Sequence, residues 1–273
     1  MYTCALPVRR TSQYHIAMGG GVIAMQLHAT VVQAAMGVFK LVMKWFMAPL
    51  WFFDAVDKEA MILAMPYGFR RQLLKIMFYP TLCWTIVLHN AMPDQRRWYD
   101  RLDERVIIGA LPLRRQLEAL ARVERVTGVL NFCDEFEGHA DYPRLGIRQL
   151  RLPTLDYCSP TAQQIENGLE FIRQQLPGCC TYIHCKAGRG RAGTMAIAYL
   201  IVEKGMAPGE AQKALSRVRP HVSPRLWKRA TVREMYRRNK QRLLAKEMAT
   251  HQQGLQQPVP LPQQLPPQKL FSG

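Results

Sequence analysis

The chain has 273 residues, of which 48% are apolar, and a formal net charge of +17 at pH 7. This length allows one catalytic domain with flanking segments, because domains usually run about 100–200 residues. The seven cysteines are an odd number without paired CxxC spacing, which excludes a zinc-ribbon site and a disulfide-rich secreted fold. We therefore expect a reducing compartment, no bound metal and no cofactor.

The positive charge is concentrated in the C-terminal part of the chain. Residues 184–246 contain sixteen Lys and Arg against three acids, a net charge of +13. A membrane surface, a phosphorylated substrate, nucleic acid or a solvated basic helix face all fit such a field. The basic residues lie on several faces of the last predicted helix with few aromatic residues between them, so we expect a membrane surface and no nucleic acid.

The N-terminal region divides into two predicted segments. Residues 1–69 form a basic and apolar extension in which no acidic residue precedes Asp54, which is typical of a transit or membrane-associated segment. Within it, residues 16–39 carry no charge and are long enough to cross a bilayer, but glycines and polar side chains dilute their hydrophobicity. Residues 70–95 predict an apolar, membrane-proximal helix, which could instead pack on the catalytic core.

The catalytic domain is predicted over residues 96–246, and residues 247–273 are predicted to be a disordered tail rich in Gln and Pro. Short apolar runs alternate with helical patterns in this domain. The alternation indicates an α/β fold with a central, mostly parallel sheet flanked by helices and preceded by the apolar N-terminal helical extension. The predicted strands cover residues 106–111, 126–132, 147–152 and 180–184.

The predicted helices follow from capping signals and apolar periodicity. Ser159 and Pro160 match an N-cap and a first helical position, so a helix should run from there toward Gly178. Further helices are predicted over residues 195–202, 208–218 and 226–246.

One loop carries the candidate chemistry. Cys185 is followed by five residues and then Arg191, after an apolar strand and before a helical pattern. A loop that opens a helix directs backbone N–H groups inward, and together with the helix dipole they bind a phosphate dianion. Gly188 and Gly190 permit the tight curl of the backbone, and His184 would orient the loop.

The residue types of this loop match phosphoryl transfer through a cysteine. The field that binds phosphate also stabilises the thiolate of Cys185 as a nucleophile. The planar guanidinium of Arg191 can hold two phosphoryl oxygens into the transition state, which lysine cannot do. The loop therefore predicts a cysteine-dependent phosphatase. The alternatives are a rhodanese-like sulfur transferase, an arsenate reductase and a catalytically dead phosphate-binding module.

A phosphatase of this kind needs a general acid to protonate the departing alkoxide. Asp156 follows the third predicted strand and precedes the helix that leads to the Cys185 strand. It should therefore lie at the carboxyl edge of the sheet, beside the catalytic loop. Asp134 and Asp141 are rival candidates, and Asp156 could instead cap a turn.

Four blocks of the sequence resemble one family. From Phe78 to Arg237 the chain is similar to the mitochondrial protein-tyrosine-phosphatase-like lipid phosphatases, the phosphatidylglycerophosphatase family of the dual-specificity phosphatase superfamily. The resemblance implies the dual-specificity-phosphatase fold. The blocks are Phe78-Tyr79-Pro80-Thr81-Leu82, Trp98-Tyr99-Asp100-Arg101-Leu102-Asp103, Gly109-Ala110-Leu111-Pro112-Leu113-Arg114 and His184-Cys185-Lys186-Ala187-Gly188-Arg189.

The resemblance also implies a substrate, a location and site residues. The implied reaction removes the terminal phosphate of phosphatidylglycerophosphate, a step toward cardiolipin, at the matrix face of the inner mitochondrial membrane. The family's general acid corresponds to Asp156, in agreement with its place in the sequence. The family's acidic stretch corresponds to residues 134–137, which puts Glu135 near the mouth of the active site.

Substrate specificity is predicted from the cations of the loop. Lys186 and Arg189 suit an anionic lipid headgroup and exceed what a phosphotyrosine site requires. The same pair resembles the loop of tensin-homologue phosphoinositide phosphatases, so a phosphoinositide is the alternative substrate, followed by a dual-specificity phosphoprotein substrate. The residues predicted to bind substrate are His184, Lys186, Ala187, Gly188, Arg189, Gly190 and Glu135.

Two further residues bear on turnover and control. Most relatives carry Ser or Thr where this chain has Ala192, and that hydroxyl helps the cysteine to leave the phosphocysteine intermediate. Thr194 lies about 200° around the helix from Ala192 and should not replace it. Slow hydrolysis is therefore expected, and a phosphate-binding pseudophosphatase scaffold is the second alternative. Cys133, at a neighbouring strand end, suggests redox control of Cys185.

Overall fold

The computed structural model describes Gly37 and residues 58–255 of the chain. The described contacts belong to the compact unit that begins at Glu59. The strands are β1 Tyr99–Arg101, β2 Val106–Gly109, β3 Val126–Cys133, β4 Arg148–Thr154 and β5 Cys180–His184. The α-helices are α1 Lys58–Ala64, α2 Tyr67–Ala91, α3 Leu117–Arg122, α4 Ala162–Arg173, α5 Arg191–Lys204, α6 Pro208–Val218 and α7 Ala230–Leu255.

The five strands form one sheet in the order β1-β2-β5-β3-β4. Strands β2 to β5 pair in parallel, and only β1 is antiparallel. Every residue of β2 and β5 is buried, as expected for parallel strands that are covered on both faces. The predicted α/β fold with a mostly parallel sheet is thus confirmed, with the short edge strand β1 as an addition.

Alternate residues of β2 and β5 enter two different cores. Ile108 and Ile183 face a large cluster with residues of α4, α5, α6 and α7, whereas Ile107 and Tyr182 face a smaller cluster with α3. The first three turns of α5 are completely buried, from Arg191 to Ile201. The catalytic loop therefore leads directly into the most enclosed helix of the described chain.

Several predicted helix boundaries differ from the structure. The helix predicted over residues 195–202 spans Arg191–Lys204, and the one predicted toward Gly178 ends at Arg173. Helix α4 begins after Thr161, whose side chain accepts the N–H of Gln164, and not after Ser159. Ser159 is instead bound to Glu59, through both its N–H and its hydroxyl. The last predicted helix is divided because Arg229 has extended backbone, which separates a 3-10 turn, Leu226–Lys228, from α7.

The ends of the chain differ in part from the predicted segments. Helix α7 continues to Leu255, so the first residues of the predicted tail are helical. The remaining tail and nearly all of residues 1–57, including the candidate span 16–39 apart from Gly37, lie outside the described residues. None of the helices described is long and apolar enough to cross a membrane.

Candidate active site

The catalytic loop joins the carboxyl end of β5 to the N-terminus of α5. Cys185 is 4% exposed and follows the last residue of β5 directly. Gly188 has φ +65°, and a Cβ at this position would collide with the carbonyl oxygen of Gly109. The loop can therefore turn this tightly, against the neighbouring strand β2, only with glycine at residue 188.

The carbonyl oxygens of the loop accept hydrogen bonds from donors outside the loop. Arg219 is fully buried and donates from Nε to Gly188 O at 2.8 Å and from Nη2 to Ala187 O at 3.2 Å. Leu111 N–H donates to Lys186 O at 3.1 Å, and Ser223 N–H donates to Arg189 O at 3.2 Å. Since these carbonyls are held from outside, the loop amides and the N-terminus of α5, which has no side-chain cap, are left to bind an anion.

Asp100 neutralises the charge of Arg219, the arginine that binds the loop carbonyl oxygens. Nη1 of Arg219 donates to Oδ2 of Asp100 at 2.6 Å, and the side chain of Asp100 is 4% exposed. Arg219 was not predicted from the sequence, because it is one basic residue among many in the segment 184–246. Asp100 lies in one of the four resembling blocks, but its role becomes visible only when β1 is placed beside the loop.

We expect the Asp100→Asn variant to lose about 3 kcal/mol of unfolding free energy, because Arg219 would keep a buried charge without a carboxylate partner. Urea unfolding measures this loss. Glu124→Gln is the matched control, since it breaks a more exposed ion pair with Arg101 and should cost less than about 1 kcal/mol. If the two variants lose equal unfolding free energy, Asp100 is not the buried partner on which Arg219 depends.

Arg191 is anchored on one side only. Its Nη1 donates to Thr154 O at 2.7 Å, to Phe132 O at 3.2 Å and to Oε2 of Glu135 at 3.1 Å. Its Nε and Nη2 make no hydrogen bond with any described residue, and Nη2 only forms an ion pair with Asp156 at 3.1 Å. The edge formed by Nε and Nη2 carries no hydrogen bond from the described part of the chain and only the ion pair with Asp156, and it has the geometry that binds two phosphoryl oxygens.

Glu135 lies beside this arginine with its side chain only 4% exposed. Burial lowers the pKa of Arg191, but the carboxylates of Asp156 and Glu135 outweigh that effect, and the pKa is raised well above its usual value. Glu135 therefore contacts the phosphate-binding arginine and holds its Nη1. This is a more interior place than the mouth of the site that the resemblance implied.

Asp156 and Lys186 form a direct ion pair in the site. Oδ2 of Asp156 accepts a hydrogen bond from Nζ of Lys186, and their side chains are 16% and 9% exposed. Burial raises the pKa of Asp156, but Lys186 and Arg191 together outweigh it and hold the pKa far below its usual range. In the absence of substrate, this carboxyl group is therefore ionised.

The other predicted loop residues occupy different environments. His184 is fully buried, and burial lowers its pKa to about 3, so its imidazole is neutral at physiological pH. Ala187 and Gly190 are half-buried. Arg189 is exposed, and its Nε donates to His221 O at 2.8 Å. Of the two loop cations, Lys186 therefore lies in the site and Arg189 lies at its rim.

The rival acids are paired with arginines outside the catalytic loop, whereas the second cysteine lies near Cys185. Asp134 forms an ion pair with Arg71 at 3.0 Å, and Asp141 forms one with Arg114 at 2.9 Å. Cys133 lies in the same core cluster as Cys185, and burial raises the pKa of its thiol. Redox control of Cys185 stays a prediction.

The N-terminal helices contact the loops around the site. Ser159, three residues after Asp156, donates from its N–H to Glu59 of α1 at 2.7 Å and from its hydroxyl to the same carboxylate at 2.8 Å. Nζ of Lys186 lies 6.0 Å from the ring centroid of Phe78 in α2. No local signal predicts these contacts, because about one hundred residues separate Glu59 from Ser159.

Ala192 is fully buried in the first turn of α5. The hydroxyl of Thr194 donates to Gly190 O at 2.9 Å and accepts from Nη1 of Arg229 at 2.8 Å. The Thr194 hydroxyl is thus bonded to other groups and not to Cys185, in agreement with the position of Thr194 around the helix.

We expect Ala192→Ser to raise kcat about tenfold, because a hydroxyl that donates to the departing thiolate should stabilise it by about 1.5 kcal/mol. Stopped-flow measurement with p-nitrophenyl phosphate should also show a smaller burst of product than in the wild type. Ala196→Ser, one turn farther on the same helix face, is the control and should leave kcat unchanged. An unchanged burst in Ala192→Ser would show that intermediate hydrolysis does not limit turnover.

Within residues 58–255, no cluster of three or more His, Cys, Asp and Glu side chains is placed to hold a metal ion. A buried cysteine, an arginine with an open donor edge and a carboxyl group opposite them define a cysteine-dependent phosphatase. A family model described as "Swiss Army Knife protein, DSP-PTPase phosphatase domain" matches residues 105–250. The chain belongs to this dual-specificity-type protein-tyrosine-phosphatase family, in the branch of the phosphatidylglycerophosphatase and protein-tyrosine phosphatase 1 proteins.

The relatives share most of their length with this chain. Phosphatidylglycerophosphatase and protein-tyrosine phosphatase 1 of Mus musculus is 38% identical over 162 residues, which cover 56% of this chain and 84% of the relative. Phosphatidylglycerophosphate phosphatase PTPMT2 of Arabidopsis thaliana is 34% identical over 168 residues, which cover 60% and 73%. A crystal structure of PTPMT1 in complex with PI(5)P is 34% identical, with a TM-score of 0.50, and covers 54% of this chain and 99% of that one.

Proposed function

We propose that the protein hydrolyses the phosphomonoester of an anionic phospholipid, with phosphatidylglycerophosphate as substrate and phosphatidylglycerol as product. The observation that carries this proposal is the open edge of Arg191, beside Asp156 and at the end of the Cys185 loop. A tetrahedral phosphate dianion fits two parallel donors backed by loop amides.

The reaction proceeds in two steps. The thiolate of Cys185 forms a bond to phosphorus while the bond from phosphorus to the glycerol oxygen breaks, and Asp156 gives its proton to that oxygen. Asp156 then takes a proton from water, which attacks phosphorus, breaks the sulfur–phosphorus bond and releases phosphate. Arg191 and the loop amides stabilise the charge of both transition states.

Substrate binding supplies the protonation state that Asp156 needs. In the substrate-free protein, Lys186 and Arg191 lower the pKa of Asp156. A bound phosphate dianion competes with the Asp156 carboxylate for these two cations. Once these cations contact phosphate, burial and the added negative charge raise the pKa of Asp156. The carboxyl group is therefore expected to carry a proton in the substrate complex, although it is ionised without substrate.

The names of the relatives and the charge of the site support a lipid substrate. Phosphatidylglycerophosphatase is part of the name of the mouse relative, and Lys186 and Arg189 provide two cations for a second charged group on the headgroup. PTPMT1 has been crystallised in complex with PI(5)P, which favours a phosphoinositide as the second candidate substrate. We further propose a membrane surface as the partner and the matrix face of the inner mitochondrial membrane as the location.

Purified protein given phosphatidylglycerophosphate in detergent micelles, with a chelator and no divalent metal, should release inorganic phosphate. Parallel reactions with a phosphatidylinositol monophosphate and a phosphotyrosine peptide rank the substrate classes, and Cys185→Ser provides the blank. Absence of release from the lipid by the wild type, or equal release by Cys185→Ser, would refute the proposal. Faster release from the phosphoinositide would favour the second candidate.

A further inference from the structure

Helix α2 carries an apolar stripe on its outer face. Phe69, Ile76, Tyr79 and Val87 are 61%, 68%, 70% and 37% exposed. At about 100° per residue, these four positions lie within about 80° of one another around the helix axis, and they extend over about 27 Å of its length. We call these four residues the outer stripe.

The opposite face of the same helix packs on the catalytic domain. Leu74, Met77 and Phe78 are the buried residues of α2, and Phe78 belongs to the core cluster that contains Cys185. The helix is thus fixed by its inner face, and the outer stripe is not needed for that packing. Exposed apolar stripes of this length mark interaction sites.

The charge of α2 selects the kind of partner. Its 25 residues contain no Asp or Glu, and they include Arg70, Arg71 and Lys75. Arg71 is paired with Asp134, whereas Lys75 is exposed next to Ile76. An apolar stripe with an exposed basic neighbour is complementary to the surface of a bilayer that contains anionic lipid. A second copy of the chain is disfavoured, because two molecules of net charge +17 repel each other.

We propose that the outer stripe docks on an anionic bilayer with α2 lying in the plane of the interface. An in-plane arrangement is the one these residues support, because the stripe runs along one side of the helix axis. With Phe78 6.0 Å from Nζ of Lys186, the thickness of one helix, about 10 Å, separates the bilayer from the active site. This inference rests on the proposed function, since it names the surface that presents the lipid substrate.

Vesicle flotation of the full-length protein tests the docking surface. The vesicles contain phosphatidylcholine alone or phosphatidylcholine with phosphatidylglycerol. The double variant Ile76→Glu/Tyr79→Glu should bind the anionic vesicles about tenfold more weakly, because it removes two large apolar contacts and adds two negative charges. Its activity toward soluble p-nitrophenyl phosphate and its thermal unfolding temperature should match those of the wild type.

The control variant separates the stripe from the change in net charge. Val123→Glu/Leu176→Glu alters two apolar residues that are 76% and 73% exposed and lie outside α2. It changes the net charge by the same amount and should bind vesicles nearly as well as the wild type. Equal losses in the two double variants, or wild-type binding by the stripe variant, would overturn the docking surface.

Two outcomes distinguish this inference from the proposed function. If the wild type fails to hydrolyse phosphatidylglycerophosphate in micelles while the stripe still governs vesicle binding, the proposed substrate is wrong and the docking surface stands. If the stripe variant melts earlier than the wild type and the control variant does not, another part of the chain covers the stripe, and the membrane assignment is wrong.

Discussion

Arg191→Lys is expected to lower kcat/KM for phosphatidylglycerophosphate about a thousandfold. Lysine keeps the positive charge but has a single donor group, so it cannot present two parallel donors to the phosphoryl oxygens. It also cannot reach Thr154 O, Phe132 O and the Glu135 carboxylate while it contacts substrate, whereas Arg191 uses separate nitrogens for the two tasks. Steady-state kinetics with micellar substrate measure the loss.

The matched control is Arg189→Lys, the same substitution two residues earlier in the loop. Arg189 is exposed and donates to His221 O at 2.8 Å, and its exchange for lysine should change kcat/KM by less than about tenfold. Arg189→Lys should unfold near the wild-type temperature. The kinetics of Arg191→Lys are measured well below its own unfolding temperature, because the substitution also leaves Thr154 O and Phe132 O without a donor. Similar kinetics for the two variants would mean that charge alone, and not the donor geometry of Arg191, stabilises the phosphoryl group.

Asp156→Asn is expected to lower kcat about a hundredfold to a thousandfold on substrates with an alkoxide leaving group. Asparagine cannot donate a proton to the glycerol oxygen, so the alkoxide would leave unprotonated. On p-nitrophenyl phosphate the loss should be much smaller, because the nitrophenolate is stable without a proton. Comparing kcat for the two substrates isolates the general-acid step from effects on folding or binding.

The pH dependence of kcat provides an independent readout of this residue. For the wild type acting on an alkyl phosphomonoester, kcat should fall as pH rises through the pKa of Asp156 in the substrate complex, because the proton is then lost. That pKa lies above the strongly lowered value of the free enzyme once phosphate occupies Lys186 and Arg191. The falling limb should be absent in Asp156→Asn. If kcat of Asp156→Asn still falls as pH rises, a group other than Asp156 donates the proton to the leaving oxygen.

The chemistry of the site follows from local sequence. The spacing from Cys185 to Arg191, between a strand and a helix, already specifies a phosphate-binding loop, because only residues adjacent in the chain are needed to build it. The parallel sheet follows from alternating apolar strands and helices for the same reason. Asp156 was predicted from the order of elements, since the carboxyl ends of parallel strands meet at one edge.

The support of the site depends on residues far apart in sequence. Asp100 and Arg219 are 119 positions apart, yet together they hold the loop carbonyls. Glu59 was beyond prediction for the same reason, and its hydrogen bonds to Ser159 leave Thr161 as the N-cap of α4. Such pairs depend on which surfaces the folded elements bring together, and no short-range periodicity encodes that.

Packing also decided which face of the apolar segment 70–95 is buried. The helix α2, Tyr67–Ala91, is apolar, basic and free of acids, which fits both a core helix and an interfacial helix. In the folded chain the helix has a buried and an exposed face: Phe78 enters the core, and Ile76 and Tyr79 stay exposed, which leaves the interfacial role a proposal for the outer stripe. The rotation of a helix is set by what it packs against, so only the folded catalytic domain could determine which apolar residues remain on the surface.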